Sequence, residues 1–231
     1  MLKHILVLII TLSSLMANDA LDAFKAKDYD KAFNLYAIDA KNGDSKAQSA
    51  LSYLYANGLG TQKSDKKALL WLEKSAENNN PNAQYDLGMK YLSGYGVSKD
   101  SKKAFKLLNE SAKANNANAQ YNLALMYYNA DSVDANITKT AELLEQAANL
   151  GHKGAIENIG RIYLQLLEFD KAAIWLEKNA ATGDKSSYYF LAEVYCEDKK
   201  FKKAKKWAQK AIDSGNEAAK LLWSKYKLQD Y

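Results

Sequence analysis

The sequence predicts an all-α chain. Three observations carry that expectation: a single proline, Pro81, in 231 residues; only 11 glycines; and a register of alanines and tyrosines that returns every 36 residues. Proline and glycine are the residues that interrupt helices, so their scarcity leaves long stretches free to coil. A fixed period of this length marks a stack of similar supersecondary units, not a globule with one central core.

The first seventeen residues stand apart from the register. Met1-Leu2-Lys3-His4 is a short cationic start and Ile5 to Leu15 an apolar run of secretory length, so residues 1–17 are expected to be a signal peptide. Ala17 supplies the small residue before a cut, placing cleavage between Ala17 and Asn18. The expected location is periplasmic or secreted, in a bacterial cell envelope. No other stretch approaches the ~18 apolar residues of a membrane span, so the mature chain is expected to carry no transmembrane segment. Cys196 is the only cysteine, which rules out a disulfide within the chain and leaves stabilisation to packing.

Residues 18–44 read as an incomplete repeat that caps the array. The register then runs through Ala47, Ala83, Ala119 and Ala155, and in parallel through Tyr55, Tyr91, Tyr127 and Tyr163. This defines repeats at 45–80, 81–116 and 117–152. In the second of these, Ala83, Leu87 and Tyr91 lie four residues apart and share one helical face. Gly94-Tyr95-Gly96-Val97 breaks that helix, Asp100 or Ser101 can cap the next, and Ala104, Leu108 and Ala112 form a stripe small enough for close helix contact. Each repeat is thus a helix hairpin. Two later repeats, 153–184 and 185–216, lose four residues from the connection: Tyr163 leads to Phe169-Asp170-Lys171-Ala172, and Tyr195 to Phe201-Lys202-Lys203-Ala204. Trp71, Trp175 and Trp207 keep the alignment across that deletion. Residues 217–231 read as a C-terminal capping helix, which a solenoid needs for solubility.

The recurring Ala-Gln-Tyr-x-Leu-Gly-x-x-Tyr, Gly-x-Gly-Val, Lys-Ala and closing Ser-Ala or Ala-Ala resemble the Sel-like repeat (SLR) family, a relative of the tetratricopeptide repeat. Repeat 3 departs from the pattern, with Ala130-Asp131-Ser132 in place of Gly-x-Gly. The resemblance implies a right-handed α-solenoid of antiparallel helix pairs and a scaffolding role. It further implies that the first helix of each pair lines a concave groove. Outside the packing stripe that groove comprises Tyr53, Asn82, Tyr85, Met89, Asn118, Tyr121, Leu125, Tyr128, Asn129, Glu157, Arg161, Tyr189 and Glu193. Tyrosine offers contact area at low entropic cost, and asparagine can bond a peptide backbone through both halves of its amide, so a protein or peptide partner is expected.

Charge narrows the partners. The chain carries 31 lysines and one arginine, Arg161, which leaves little material for the bidentate phosphate recognition that nucleic-acid binding favours. Basicity is concentrated at one end, with ten lysines against three acids from Lys199 to Tyr231. The segment Lys199 to Trp207 alternates an apolar stripe with a cationic face and suits weak contact with an anionic surface. Asp134-Ala135-Asn136-Ile137-Thr138, in what the spacing makes the longest connection, has the form of an extended bacterial N-glycosylation sequon and makes Asn136 a candidate acceptor.

Enzymatic chemistry finds little support. His152 is the only histidine of the mature chain, so no multi-histidine metal site is expected, nor any cofactor. A secreted branch of the resembling family is described as penicillin-binding or β-lactamase-like, but its cysteine pairs are missing here. Ser-x-x-Lys at Ser64–Lys67 and Ser224–Lys227 lacks the Ser-Asp-Asn and Lys-Thr-Gly companions of a serine β-lactamase. The leading expectation is an interaction scaffold or adaptor. The alternatives are a cell-envelope enzyme or ligand binder, and an assembly factor of an envelope machine.

Overall fold

The structure, a computed structural model, describes residues 19–231. The expected signal peptide and its cleavage point at Ala17 and Asn18 lie outside the described residues. Among the described residues the regular structure is helical throughout, with no strand. The helices are α1 (19–25), α2 (Tyr29–Lys41), α3 (Ser45–Asn57), α4 (Asp65–Glu77), α5 (Pro81–Ser93), α6 (Ser101–Lys113), α7 (Ala117–Asn129), α8 (Ile137–Asn149), α9 (Lys153–Gln165), α10 (Phe169–Ala181), α11 (Ser186–Glu197), α12 (Phe201–Asp213) and α13 (Glu217–Lys225), followed by a 3-10 turn at Leu228–Asp230. They fall into two compact units, one ending at Asn116 and one running from Ala117 to Tyr231. Within each unit consecutive helices pack side by side as hairpins, the arrangement of an α-solenoid.

Each hairpin closes on a small residue. Position 52/88/124/160/192 of the first helix holds Ser, Gly, Ala, Gly and Ala, and leucines at 72, 108, 144 and 176 of the second helix are buried. A methyl group placed on Gly88 would lie 3.1 Å from Leu108 Cγ, and one on Gly160 only 2.5 Å from Leu176 Cγ. The second helix answers with its own small residues, Ala68, Ala104, Thr140, Ala172 and Ala204, all buried. Two backbones at this distance exclude water and pack at interior density. Of the stripe read from sequence, Ala83 and Leu87 are buried and Tyr91 is half-buried; Gln84 and Gly88 complete the buried face.

Polar side chains tie one hairpin to the next. Gln48 Nε2 donates to the Ala40 carbonyl at 3.1 Å, and Gln84 Nε2 to the Ala76 carbonyl at 3.3 Å. Within single hairpins, Ser75 Oγ of α4 donates to the Ser45 carbonyl of α3 and Ser111 Oγ of α6 to the Pro81 carbonyl of α5, both at 2.6 Å. At the other end of the first helix, lysine stands over tyrosine: Lys67 over Tyr55, Lys103 over Tyr91, Lys171 over Tyr163 and Lys203 over Tyr195, at 5.2, 5.1, 4.9 and 5.0 Å from the ring centres. The repeating tyrosine is thus held from the helix that follows it.

The connections inside the hairpins come in two lengths. The seven-residue form spans 58–64, 94–100 and 130–136. Its first and third residues take positive φ, satisfied by Gly58 and Gly60 and by Gly94 and Gly96; the third copy forces Ala130 (φ 56°) and Ser132 (φ 64°) into the same left-handed conformation. The short form has one left-handed residue, Lys27, Leu167 or Lys199. In the described part of residues 18–44, expected as an incomplete repeat, α1 and α2 share this short form with the last two repeats. They contribute the end of a first helix and a full second helix.

The glycine contacts predict an order of stabilities. Alanine at 160 collides with a buried Leu176 branch point, an overpacking cost of about 1–3 kcal/mol that exceeds the ~1 kcal/mol of helix propensity it gains. Gly88→Ala, with a wider gap, should cost less. Urea unfolding should rank wild type above Gly160→Ala, with Gly88→Ala nearer wild type; a Gly160→Ala variant as stable as wild type would contradict the packing described.

Candidate functional site

With the inner face of each first helix consumed by packing, what remains outward falls in rows set by the period. One row holds Ser49 and Tyr85 in the first unit and Tyr121, Glu157 and Tyr189 in the second; the next holds Tyr53 and Met89 in the first and Leu125, Arg161 and Glu193 in the second. Every residue expected for the groove keeps solvent exposure, Tyr85 half-buried and Asn118 exposed among them.

In the first unit the structure brings four of them together. Tyr53, Tyr85 and Met89 line a cleft of about 650 Å³ between α3 and α5, walled also by Leu72, Asp86, Lys90 and Tyr95. Tyr53 and Asn82 share a neighbouring cleft of about 480 Å³ with Leu21, Phe24, Tyr36 and Lys46. Tyr53 is the divider: it is 53% exposed, and its ring meets Phe24 edge-on at 6.0 Å. Asn82 is held by the Asn116 amide, which donates to its Oδ1 at 3.0 Å. Sequence reading missed Leu21, Phe24, Tyr36 and Tyr95. The first three sit in the segment read as a cap. Tyr95, 76% exposed with Lys90 Nζ 4.8 Å from its ring centre, had a signal in the sequence: an aromatic between two glycines of a turn has no core to enter.

The second unit is more heterogeneous. Asn118, Tyr128 and Asn129 are exposed and Leu125 is half-buried, on a helix α7 without a charged side chain. Charges begin on α9. Glu157 stands 3.9 Å from Lys153, and Arg161 lies over the Phe190 ring at 5.4 Å, with Tyr189 edge-on to the same ring at 5.4 Å. Burial, with the negative charge of Glu197 beside it, pushes the Glu193 carboxyl up, against the pull of Lys225. Tyr121 is tied into the fold: it stacks on His152 at 4.3 Å and occupies the space a side chain at Gly154 would need.

Other residues singled out in the sequence have structural duties. Asn136 is exposed, but its Oδ1 accepts from Lys139 N at 2.8 Å as the N-cap of α8, the role that Ser64 and Asp100 play in the preceding repeats. Its connection is not the longest, because the deletion of four residues shortens only the later hairpins and leaves three equal copies of seven. Ser64 Oγ accepts from Lys67 N, and Ser224 Oγ donates to the Lys220 carbonyl, so both Ser-x-x-Lys serines serve the helices. Cys196 is buried, and that burial pushes its thiol up to about 11.

The Sel1 repeat profile matches residues 23–44, 45–80, 81–116, 117–152 and 185–216. The chain belongs to the Sel1 repeat family. The unmatched stretch 153–184 still folds as a helix pair, α9 with α10. The chain is similar to a Sel1 repeat protein from Oxalobacter formigenes, at 27% identity over 88% of this chain and 84% of that one, with a TM-score of 0.66. It also resembles c5321, a protective antigen of uropathogenic Escherichia coli displaying an SLR fold, at 29% identity, TM-score 0.59, and 83% of this chain against 43% of that one. No curated protein matches the sequence. Sel1 repeats typically mediate protein binding.

One Sel1 repeat position is chemically out of line. Asp44, Asn80 and Asn216 are N-caps of first helices and Asp184 bonds Ser186 N; at the same register His152 Nδ1 accepts from Ala155 N at 3.1 Å. Capping requires the neutral ring, and burial lowers the His152 pKa from its ordinary 6.5. A lowered folded pKa gives stability that is complete above pH 6.5 and is lost as pH falls through the folded value. Relative to wild type, His152→Asn should therefore gain about 1 kcal/mol between pH 7.5 and pH 5 in urea unfolding. Carboxylate titration is common to both proteins and cancels, so parallel pH profiles would refute the capping role.

Proposed function

We propose that this protein is an exported scaffold or adaptor that holds a protein or peptide partner on the outward rows of its first helices. The carrying observation is the pair of adjoining clefts in the first unit, where Tyr53, Tyr85, Met89 and Asn82 converge with partly exposed aromatics from α1, α2 and the 94–96 turn. Tyrosine-rich concavities with few charges bury contact area at low rotamer cost, which suits side chains of a partner chain. The proposed setting, periplasmic or secreted, rests on the cationic start and apolar run of residues 1–15, and glycosylation of Asn136 is part of the same proposal. Its amide nitrogen is the attachment atom, and the cap uses the oxygen.

Tyr53 and Tyr85 are the residues to substitute, because Tyr121 also supports His152. A photo-crosslinking residue placed at Tyr53 should capture one saturable partner in intact cells. Truncating a central interface tyrosine typically costs 1–2 kcal/mol, so Tyr53→Ala with Tyr85→Ala should weaken that partner at least 10-fold while leaving the circular dichroism spectrum and melting temperature near wild type. Undiminished capture by the double variant would sink the assignment.

A further inference from the structure

The outward rows leave one strongly charged surface unused. Lysines 199, 200, 202, 203, 205, 206 and 210 fall within twelve residues on α12 and the turn before it, and all but Lys205 are exposed. Helix α12 carries a single acid, Asp213, at its far end. Carboxylates reach only the edge of this field: Lys200 pairs with Asp198 at 2.6 Å and Asp170 at 3.5 Å. Lys203 and Lys210 stand over Tyr195 and Trp207, and Lys205 donates to the Gln229 carbonyl. Lys199, Lys202 and Lys206 have no ion pair among the described residues; Lys202 and Lys206, four residues apart, share one side of α12, and Lys199 lies in the turn just before it.

We propose that this lysine face of α12 docks the protein on an anionic phospholipid surface. Charge complementarity is the argument, and the packing fixes its mode. Ala204, Ala208 and Ala211 are buried against the rest of the second unit and Phe201 stacks on Tyr231 at 4.6 Å, so the apolar stripe is spent on the fold and the helix cannot insert. Contact is electrostatic and lies flat. From Lys202 to Lys210 the charges extend along roughly 12 Å of helix at 1.5 Å per residue, with Lys199 and Lys200 in the turn beyond, a length that meets several lipid headgroups at once. Lysine ammonium groups act as point charges suited to a diffuse anionic plane, whereas a recessed acidic or phosphorylated ligand is better held by arginine forks, which this face lacks. This surface is separate from the clefts of the first unit, so its docking stands or falls independently of the partner-binding reading.

Co-sedimentation of the full chain with vesicles tests it. Vesicles of phosphatidylcholine with 30% phosphatidylglycerol are compared with phosphatidylcholine alone; reading the difference removes any contribution of the apolar residues 5–15. Binding should favour the anionic vesicles at 0.05 M salt and lose that preference at 0.5 M salt. One lysine near an anionic surface contributes roughly a fivefold change in partitioning, so Lys199→Gln, Lys202→Gln and Lys206→Gln together should weaken the preference roughly 100-fold. An equal loss of charge elsewhere, Lys66→Gln, Lys102→Gln and Lys113→Gln, should leave it nearly intact. No preference for anionic vesicles overturns the proposal, as does equal sensitivity to both triple variants. If soluble polyglutamate binds the same lysines more tightly than the vesicles do, the face belongs to an acidic polypeptide and the lipid assignment falls.

Discussion

The close approach of two helices at a small residue is the constraint on which the rest of this structure depends. Gly160 under Leu176 leaves no room for a methyl group and Gly88 under Leu108 leaves little, and Ser52, Ala124 and Ala192 hold the same place in the other hairpins. Because this contact fixes how each first helix is rotated about its axis, it also fixes which residues face outward. The outward rows exist as rows only because the inner contact returns at every period. A shift of one residue would turn Tyr85 away from its cleft and bring Asp86 toward the hairpin interior.

Around that contact the fold solves the problem of a solenoid without disulfides. Apolar burial per hairpin is modest, since much of it is alanine, so directional bonds hold hairpin to hairpin. The glutamine side chains of α3 and α5 take the carbonyls of Ala40 and Ala76 at the ends of the preceding helices, while Ser75 and Ser111 close their own hairpins on the Ser45 and Pro81 carbonyls. Each such bond contributes about 1 kcal/mol net, but its loss strands a buried polar group at a cost of about 1–3 kcal/mol. That asymmetry makes these residues specifiers of register more than sources of stability. It also explains why a buried Gln48 or Gln84 is tolerated in a position otherwise reserved for apolar side chains.

The 36-residue register made the helices and their hairpin pairing legible from the sequence, because periodicity reports rotation about a helix axis directly. What stayed hidden were relations that periodicity does not encode. The clefts of the first unit need Leu21 and Phe24 from α1 and Tyr36 from α2 beside Tyr53, residues separated in sequence and joined only by packing. Asn136 has the form of an acceptor sequon, yet its place one residue before a helix, aligned with Ser64 and Asp100, is equally the place of an N-cap. His152 as a cap was concealed for a different reason: the residue type is unusual at that position, and only the bond from Ala155 N reveals its duty.

The period also separates constraint from freedom within a single chain. At the inner positions chemistry hardly varies: alanine or serine at 47, 83, 119, 155, 187 and 219, and a small residue at every hairpin contact. At the outward positions it varies at nearly every step, from Tyr53 and Met89 in the first unit to Leu125, Arg161 and Glu193 in the second. Packing cannot be the cause, since these side chains all retain exposure and a repeated fold would accept one residue type at all of them. In the second unit the change has a direction. Helix α7 is uncharged, α9 brings Glu157 and Arg161, and α11 brings Glu193, whose ionisation burial opposes and Lys225 of α13 favours. A partner laid across that unit would meet tyrosine and asparagine at one end and alternating charge at the other. Such a surface is asymmetric along its length, and reversing the partner would place apolar groups against a half-buried carboxylate. The physical cost of that mismatch gives a repetitive scaffold a means of fixing orientation as well as identity.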